Sequence, residues 1–176
     1  MDIFSHALWS VAIFKLGKKK FKVLQAAFWG AFPDLLSFTF LFIWLILMKL
    51  FKNLNPQEIV HLEPYYQNHH IVFKLTSLLY SMSHSLIIFI TIFAIIYLIK
   101  KRIIWEMFGW LIHILLDIPT HSYEFYPTPF LWPISNWKLN GYSWASKEFM
   151  IINYGLLIVI YIYFYRKEIL KKLNLK

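Results

Sequence analysis

Five long apolar stretches constrain this chain more than any other feature. They cover residues 3–16, 23–48, 76–99, 103–120 and 149–165. A helix needs about 20 apolar residues to cross a bilayer. The second and third stretches are long enough, the fourth and fifth are close to the limit, and the first could instead lie tilted in the interface. Composition agrees, with 59% hydrophobic and 20% aromatic residues. The sequence therefore predicts an all-α, polytopic membrane helix bundle of about five helices, forming one domain over residues 1–176.

The distribution of basic residues predicts the orientation of this bundle. The chain has 18 Lys and Arg and a formal net charge of +9. If all five stretches cross, thirteen of these residues share one side and five share the other. Cytoplasmic loops concentrate Lys and Arg, so the N-terminus should lie outside and the C-terminus in the cytoplasm of a cytoplasmic (inner) membrane. The positive charge is then explained by topology, and we expect membrane lipids, not nucleic acid, as the surroundings. The oligomeric state is left open.

Six ionisable residues interrupt the apolar stretches or follow them directly. They are His6, Asp34, His84, His113, Asp117 and His121. Such residues are costly in an apolar bundle unless they are paired, hydrogen-bonded or bound to a cation. Each alone could be a hydrogen-bonded intramembrane residue, but six of only His and Asp type suit Zn²⁺, which binds imidazole nitrogen and carboxylate oxygen. His61, His69 and His70 lie in a polar loop and indicate solvated surface instead.

The segment 109–121 carries the strongest part of this signal. His113 and Asp117 are four residues apart, so on a helix they lie on one face and can act as a two-residue metal clamp. Pro119 should stop the helix and leave His121 in a turn directed back towards the clamp. By the same argument Pro33 should break the second helix just before Asp34.

The motifs together resemble a known family. Those that carry the resemblance are Met1-Asp2, Ser5-His6-Ala7, Gly30-Ala31-Phe32-Pro33-Asp34, Ser83-His84-Ser85, His113-Ile114-Leu115-Leu116-Asp117, Thr120-His121 and Phe130-Leu131-Trp132-Pro133. They look like the membrane-bound metal-dependent hydrolases of the LexA-binding, inner-membrane-associated type, over the chain up to about residue 135. The order of His and Asp is also similar to the soluble all-α zinc phospholipase C and S1/P1 nuclease superfamily, which implies a phospholipase C-like helical core.

The resemblance implies a set of metal sites. Asp34, His84, His113 and Asp117 would bind a first zinc ion, and Asp117 would bridge to a second ion that also takes His6. His121 would serve a third ion, and the soluble enzymes add their amino-terminus as a ligand. The further His-x3-Glu pair of those enzymes is missing after residue 121, which favours two ions, most simply two Zn²⁺ with Mn²⁺ as the alternative.

The implied activity is metal-assisted hydrolysis with the site near the outer face. Water activated by the metal ions would attack a phosphoester or other ester of a lipid-like substrate, with Asp117 central to the site. Glu124, three residues past His121, is a candidate general base or extra ligand. The aromatic, proline-rich segment 122–148 suggests membrane anchoring or a lid over the site.

Two other functions compete with hydrolysis. Buried His and Asp chains also occur in transporters and proton relays, although this sequence shows no matched halves. A non-catalytic membrane scaffold with a structural metal is the other alternative, and it would show four protein ligands instead of a position for water.

Overall fold

The fold of the described residues is entirely helical. A computed structural model describes residues 1–17, 21–52, 71–124 and 126–172, and no strand occurs among them. The helices are α1 (Ile3–Leu16), α2 (Val23–Lys52), α3 (Ile71–Ser83), α4 (Leu86–Lys100), a 3₁₀ turn (Trp105–Met107), α5 (Phe108–Thr120) and α6 (Lys147–Lys172). The predicted all-α class is confirmed, and the described part of the chain contains six α-helices, whereas about five were predicted for the whole chain. The loop with His61, His69 and His70 lies outside the described residues, as does Phe125 of the aromatic segment.

Two or three membrane spans fit these helices, fewer than the five apolar stretches suggested. Val23–Phe51 and Lys147–Arg166 are long and apolar enough to cross, and the pair α3 and α4, bent by 65°, could form a third, broken span. The helices α1 and α5 have 14 and 13 residues. At about 1.5 Å per residue they reach only about 20 Å, against a hydrocarbon core of about 30 Å. The orientation drawn from five crossings therefore stays a prediction.

The helix predicted over residues 76–99 is broken in the structure at His84 and Ser85. Ser85 caps α4 by accepting hydrogen bonds from the N–H groups of Ile87 and Ile88, at 3.1 and 3.2 Å. The N–H of Leu86 donates to the carbonyl of Phe130 at 2.9 Å. The prediction of a single helix was wrong because this break is stabilised partly by a distant loop.

The two prolines behave differently from each other. The break predicted at Pro33 is wrong, since α2 continues through this residue. Ser37 donates to the carbonyl of Pro33 at 2.7 Å, an i to i−4 side-chain bond, although the carbonyl that loses its N–H partner to this proline is that of Trp29. In α5 the helix ends at Thr120, one residue after Pro119, and His121 is extended with φ −113° and ψ 136°.

The interior of the described part of this protein contains many polar side chains. Among the described residues, sixteen buried polar side chains outnumber fourteen buried hydrophobic ones. Many large apolar side chains are exposed, including Leu24 at 85% and Phe51 at 81%. In water this arrangement would be unfavourable, but in lipid the apolar exterior is solvated. The burial pattern therefore agrees with the candidate spans.

Three helices cross in close contact at Ser10, Gly30 and Gly109. A Cβ atom added at Gly30 would lie 2.6 Å from Ser10 Cβ, and one at Gly109 would lie 2.7 Å from Ser10 Oγ. Ser10 Oγ donates to the carbonyl of Ala26 at 2.9 Å. Close backbone approach through small residues is typical of helix packing in membranes. This crossing brings α1, α2 and α5 together one turn away from the candidate site.

Candidate metal centre

Each of the three crossing helices carries a metal-competent side chain four residues from the crossing point. These pairs are Ser10 with His6, Gly30 with Asp34, and Gly109 with His113. Residues four apart lie on one helix face. The close contact therefore directs one imidazole or carboxylate from each helix towards a common centre.

Four fully or almost fully buried side chains meet at this centre. Asp34, His84, His113 and Asp117 each offer one ligand atom, and these atoms lie within 4.8 Å of one another. The two residues of the predicted clamp lie together, with His113 Nε2 at 3.1 Å from Asp117 Oδ2. His84, at the break between α3 and α4, places its Nε2 3.4 Å from the same oxygen and 3.5 Å from Asp34 Oδ1. This cluster could bind a metal ion.

Backbone carbonyls fix the orientation of three of the histidine rings. Nδ1 lies 2.7 Å from the Gly30 carbonyl in His113, 3.1 Å from the Tyr80 carbonyl in His84, and 2.7 Å from the Tyr126 carbonyl in His121. A carbonyl only accepts, so Nδ1 carries the proton in each neutral ring and Nε2 keeps its lone pair. Metal-binding histidines are commonly oriented in this way.

The contact between His84 and His113 supports a cation between them. Their Nε2 atoms are 3.0 Å apart. With both protons on Nδ1, two lone pairs face each other, which is unfavourable unless a cation or proton lies between them. Asp34 and Asp117 add two buried carboxylates that also need positive charge.

The spacing of the donor atoms fits a tetrahedral ion. Zn²⁺ binds nitrogen and oxygen ligands at about 2.0–2.2 Å, so its ligand atoms are about 3.3–3.6 Å from one another. The separations that involve a histidine run from 3.0 Å between His84 and His113 to 3.7 Å between His113 Nε2 and Asp34 Oδ1, and all four ligand atoms lie within 4.8 Å of one another. The residues present therefore fit a divalent cation of intermediate hardness, such as Zn²⁺.

A second group of donors surrounds the other oxygen of Asp117. His6 Nε2 lies 2.8 Å and His121 Nε2 3.3 Å from Asp117 Oδ1. The amino group of Met1 donates to this oxygen and lies 3.1 Å from His121 Nε2. His121 thus joins His6 at one carboxylate oxygen, and does not form a separate third location.

His6 is the least satisfied of these side chains. It is buried, with its ring stacked on His113 at 3.6 Å between centroids. Neither of its ring nitrogens has a hydrogen-bond partner among the described residues, and the same holds for Asp117 Oδ2. Nε2 of His6 lies close to Asp117 Oδ1, but the two groups are not oriented for a hydrogen bond. Leaving such groups unpaired costs about 1–3 kcal/mol each, which a shared cation would offset.

A polar network positions α1 and therefore His6. Asn153 of α6 donates to Ser5 Oγ at 2.7 Å, and Ser5 Oγ donates to Asp2 Oδ2 at 2.5 Å. Asp2 caps α1 through the N–H of Ser5 at 3.0 Å, and also accepts from the Tyr154 hydroxyl at 2.9 Å. Although partial burial opposes ionisation, these hydrogen bonds lower the pKa of Asp2. The last helix, which the family resemblance does not cover, thus supports the site.

Sequence reasoning missed Tyr80 and the loop that fixes His121. The Tyr80 hydroxyl lies 3.1 Å from His121 Nδ1 and donates to the Tyr126 carbonyl at 2.8 Å. Its position four residues before His84 was the available signal. Gly141 N–H donates to the His121 carbonyl at 2.8 Å. Glu124 is exposed, and the clustered group does not include it, so its role as a base stays a prediction.

Comparison of the chain with family models, curated proteins and solved structures finds no match in any of the three. The kind of protein must therefore be described from its fold and its site alone. The described residues are all helical or irregular, their long apolar helices are compatible with membrane association, and a buried cluster of His and Asp could hold a metal ion.

Proposed function

We propose that this protein is a membrane-embedded hydrolase that uses two divalent cations, Zn²⁺ or alternatively Mn²⁺, to cleave a phosphoester or other ester of a lipid-like substrate. One observation carries the proposal: the two oxygens of Asp117 face two different sets of donor atoms. A carboxylate placed in this way can bridge two cations. The resemblance to membrane-bound metal-dependent hydrolases leads to the same proposal.

The two carboxylate oxygens of Asp117 would have different roles. Asp34, His84 and His113 complete a set of four protein ligands with Asp117 Oδ2, which is the composition of a closed site. At Oδ1, His6 and His121 are the other side chains and the Met1 amino group lies beside them, so water could take a position at a second cation only if this amino group is not itself a ligand. Divalent cations held by these residues would activate water near neutral pH and would polarise a phosphoryl or carbonyl oxygen of the substrate.

The chain's own residues prepare this chemistry. The carbonyls of Gly30, Tyr80 and Tyr126 hold the Nε2 lone pairs of three histidines towards Asp117. Burial of the cluster keeps bulk water out and strengthens its electrostatic interactions. The chain has no cysteine, and hydrolysis by a metal-activated water requires no protein nucleophile. The apolar exterior favours substrates that arrive from the bilayer.

Elemental analysis tests the proposal directly. We expect the detergent-purified protein to contain about two equivalents of zinc or manganese per chain, because each carboxylate oxygen of Asp117 would bind one ion. Chelation should abolish hydrolysis of bis(p-nitrophenyl) phosphate or p-nitrophenyl esters, and returning the metal should restore it. A protein that stays metal-free after both metals are supplied would remove the proposal.

A structural metal is the second candidate function, because the four-ligand set resembles a closed zinc site. It predicts the same metal retention, with a lower thermal midpoint after chelation. It also predicts no turnover of the ester probes at any metal loading.

We propose further that the protein is a multi-pass protein of the cytoplasmic membrane, with the site near the outer face. Asn136, in the loop after α5, and Arg102, after α4, are both exposed. If the segment with α5 crosses the bilayer between these two positions, Asn136→Cys should react with an impermeant thiol reagent in intact cells and Arg102→Cys should not, whereas equal labelling of the two would mean that this segment does not cross. The absence of native cysteines makes the wild-type chain a clean background. The reverse labelling pattern would mean that the protein has the opposite orientation in the membrane.

A further inference from the structure

A cavity of about 110 Å³ lies beside the cluster of His and Asp side chains and shares one wall with it. Its lining residues are Ser77, Tyr80, Ser81, Tyr126, Pro127, Pro129 and Lys138. The shared wall is Tyr80, whose ring stacks on His84 at 3.9 Å between centroids and whose hydroxyl contacts His121 Nδ1. A molecule in this cavity would therefore be held next to the cluster.

The cavity has one wall from α3 and one from the loop that follows α5. Ser77, Tyr80 and Ser81 lie at i, i+3 and i+4 on one face of α3, and His84 continues that face at i+7. Lys138 lines the cavity from the loop, together with Tyr126, Pro127 and Pro129. The same face of α3 thus carries serine hydroxyls to the cavity and an imidazole to the cluster.

The chemistry of the lining favours an anion. Lys138 is its one ionisable cation, and no carboxylate occurs among the described lining residues. Burial lowers the pKa of the Lys138 ammonium, so an anion beside it would favour its charged form. Ser77 and Ser81 contribute hydroxyls that can donate to an oxyanion. A single water needs about 10–15 Å³, so the cavity has room for a tetrahedral oxyanion.

We propose that this cavity is a subsite for an anionic phosphate group of the substrate's polar head. Lys138 and Ser81 bind the phosphate oxygens, while Tyr80 separates this group from the ester that is cleaved at the cluster. The inference rests on the proposed hydrolytic function and specifies its substrate class: an amphiphile with a phosphate group next to the scissile ester. The same chemistry would also accept a free, water-soluble phosphate ester.

Calorimetric titration of the metal-loaded protein in detergent tests the subsite without using activity. The probes are inorganic phosphate, glycerol 3-phosphate and dihexanoyl phosphatidate. Lys138→Gln should weaken the binding of all three at least tenfold, because a charge-assisted hydrogen bond is lost. Ser81→Ala should weaken it several-fold, and metal content should be unchanged in both. Lys147→Gln, which removes an exposed lysine at the start of α6, is the matched control.

The outcomes separate the ligand sources and the two proposals. Tighter binding of dihexanoyl phosphatidate than of glycerol 3-phosphate would identify a lipid as the source of the bound phosphate group. Equal binding of the two would identify a soluble phosphate ester instead. Equal affinity of Lys138→Gln and Lys147→Gln for phosphate, with Ser81→Ala also unchanged, would overturn the subsite. In that case a phosphate affinity that disappears on chelation belongs to the ions alone, and the hydrolase proposal stands. A metal-free protein would instead overturn the hydrolase proposal itself.

Discussion

Asp117→Asn should lose more than one equivalent of metal, whereas His121→Ala should lose at most one. Asn keeps the shape of Asp but replaces one oxygen with an NH₂ group, whose hydrogens would point at one of the two donor sets. Two dications about 4 Å apart repel by roughly 16 kcal/mol at an effective dielectric constant of 20, so they need the shared negative charge. Elemental analysis of the purified variants measures the loss.

Asp34→Asn is the matched control for this experiment. Its carboxylate contacts only the His84 and His113 side of the cluster, at 3.5 and 3.7 Å. It should therefore lose one equivalent and retain the other. Helix content measured by circular dichroism should be retained in all three variants, since the bundle is held by its apolar surfaces. If Asp117→Asn kept all its metal while His121→Ala lost all of it, the bridge would be refuted and the site would centre on the end of α5.

The sequence predicted the members of the cluster better than their surroundings. Helix periodicity was sufficient to pair His113 with Asp117, and the cost of burying charge was sufficient to add Asp34 and His84. Local patterns could not predict the break at His84. Its stabilising partners include the carbonyl of Phe130, more than forty residues away, and no Gly or Pro marks the position. Hydrophobicity alone therefore suggested one continuous helix.

At Pro33 the sequence predicted a helix break that the structure does not have. A proline inside a helix of a water-soluble protein commonly breaks or kinks it, which is why a break was expected before Asp34. In α2 the helix continues, with Ser37 Oγ and Ser83 Oγ 2.8 Å apart beside it. These contacts depend on how α2 packs against α3. Ser37 itself lies about one turn from the proline, but its contact with Ser83 of α3 cannot be read from the local sequence.

Gly30→Ala should lower both stability and metal content. The new Cβ would lie 2.6 Å from Ser10 Cβ and 2.7 Å from the His6 carbonyl oxygen, so α1 and α2 would have to separate. Overpacking of this kind costs about 1–3 kcal/mol, or roughly 2–10 °C in thermal midpoint for a chain of this size. Separation also moves His6 and Asp34, which lie one turn away on the two helices, so part of the metal should be lost. Thermal unfolding and elemental analysis measure the two effects.

Gly155→Ala provides the matched control on α6. Nothing lies within 4 Å of a Cβ added there, and the residue is exposed. Alanine is favoured over glycine in a helix by up to about 1 kcal/mol, so this variant should keep its metal and unfold at the same or a slightly higher temperature. The contrast isolates the helix crossing, because both changes add the same methyl group to a helical glycine. Equal stability and equal metal content in the two variants would mean that the close approach of α1 and α2 at Ser10 does not position the cluster.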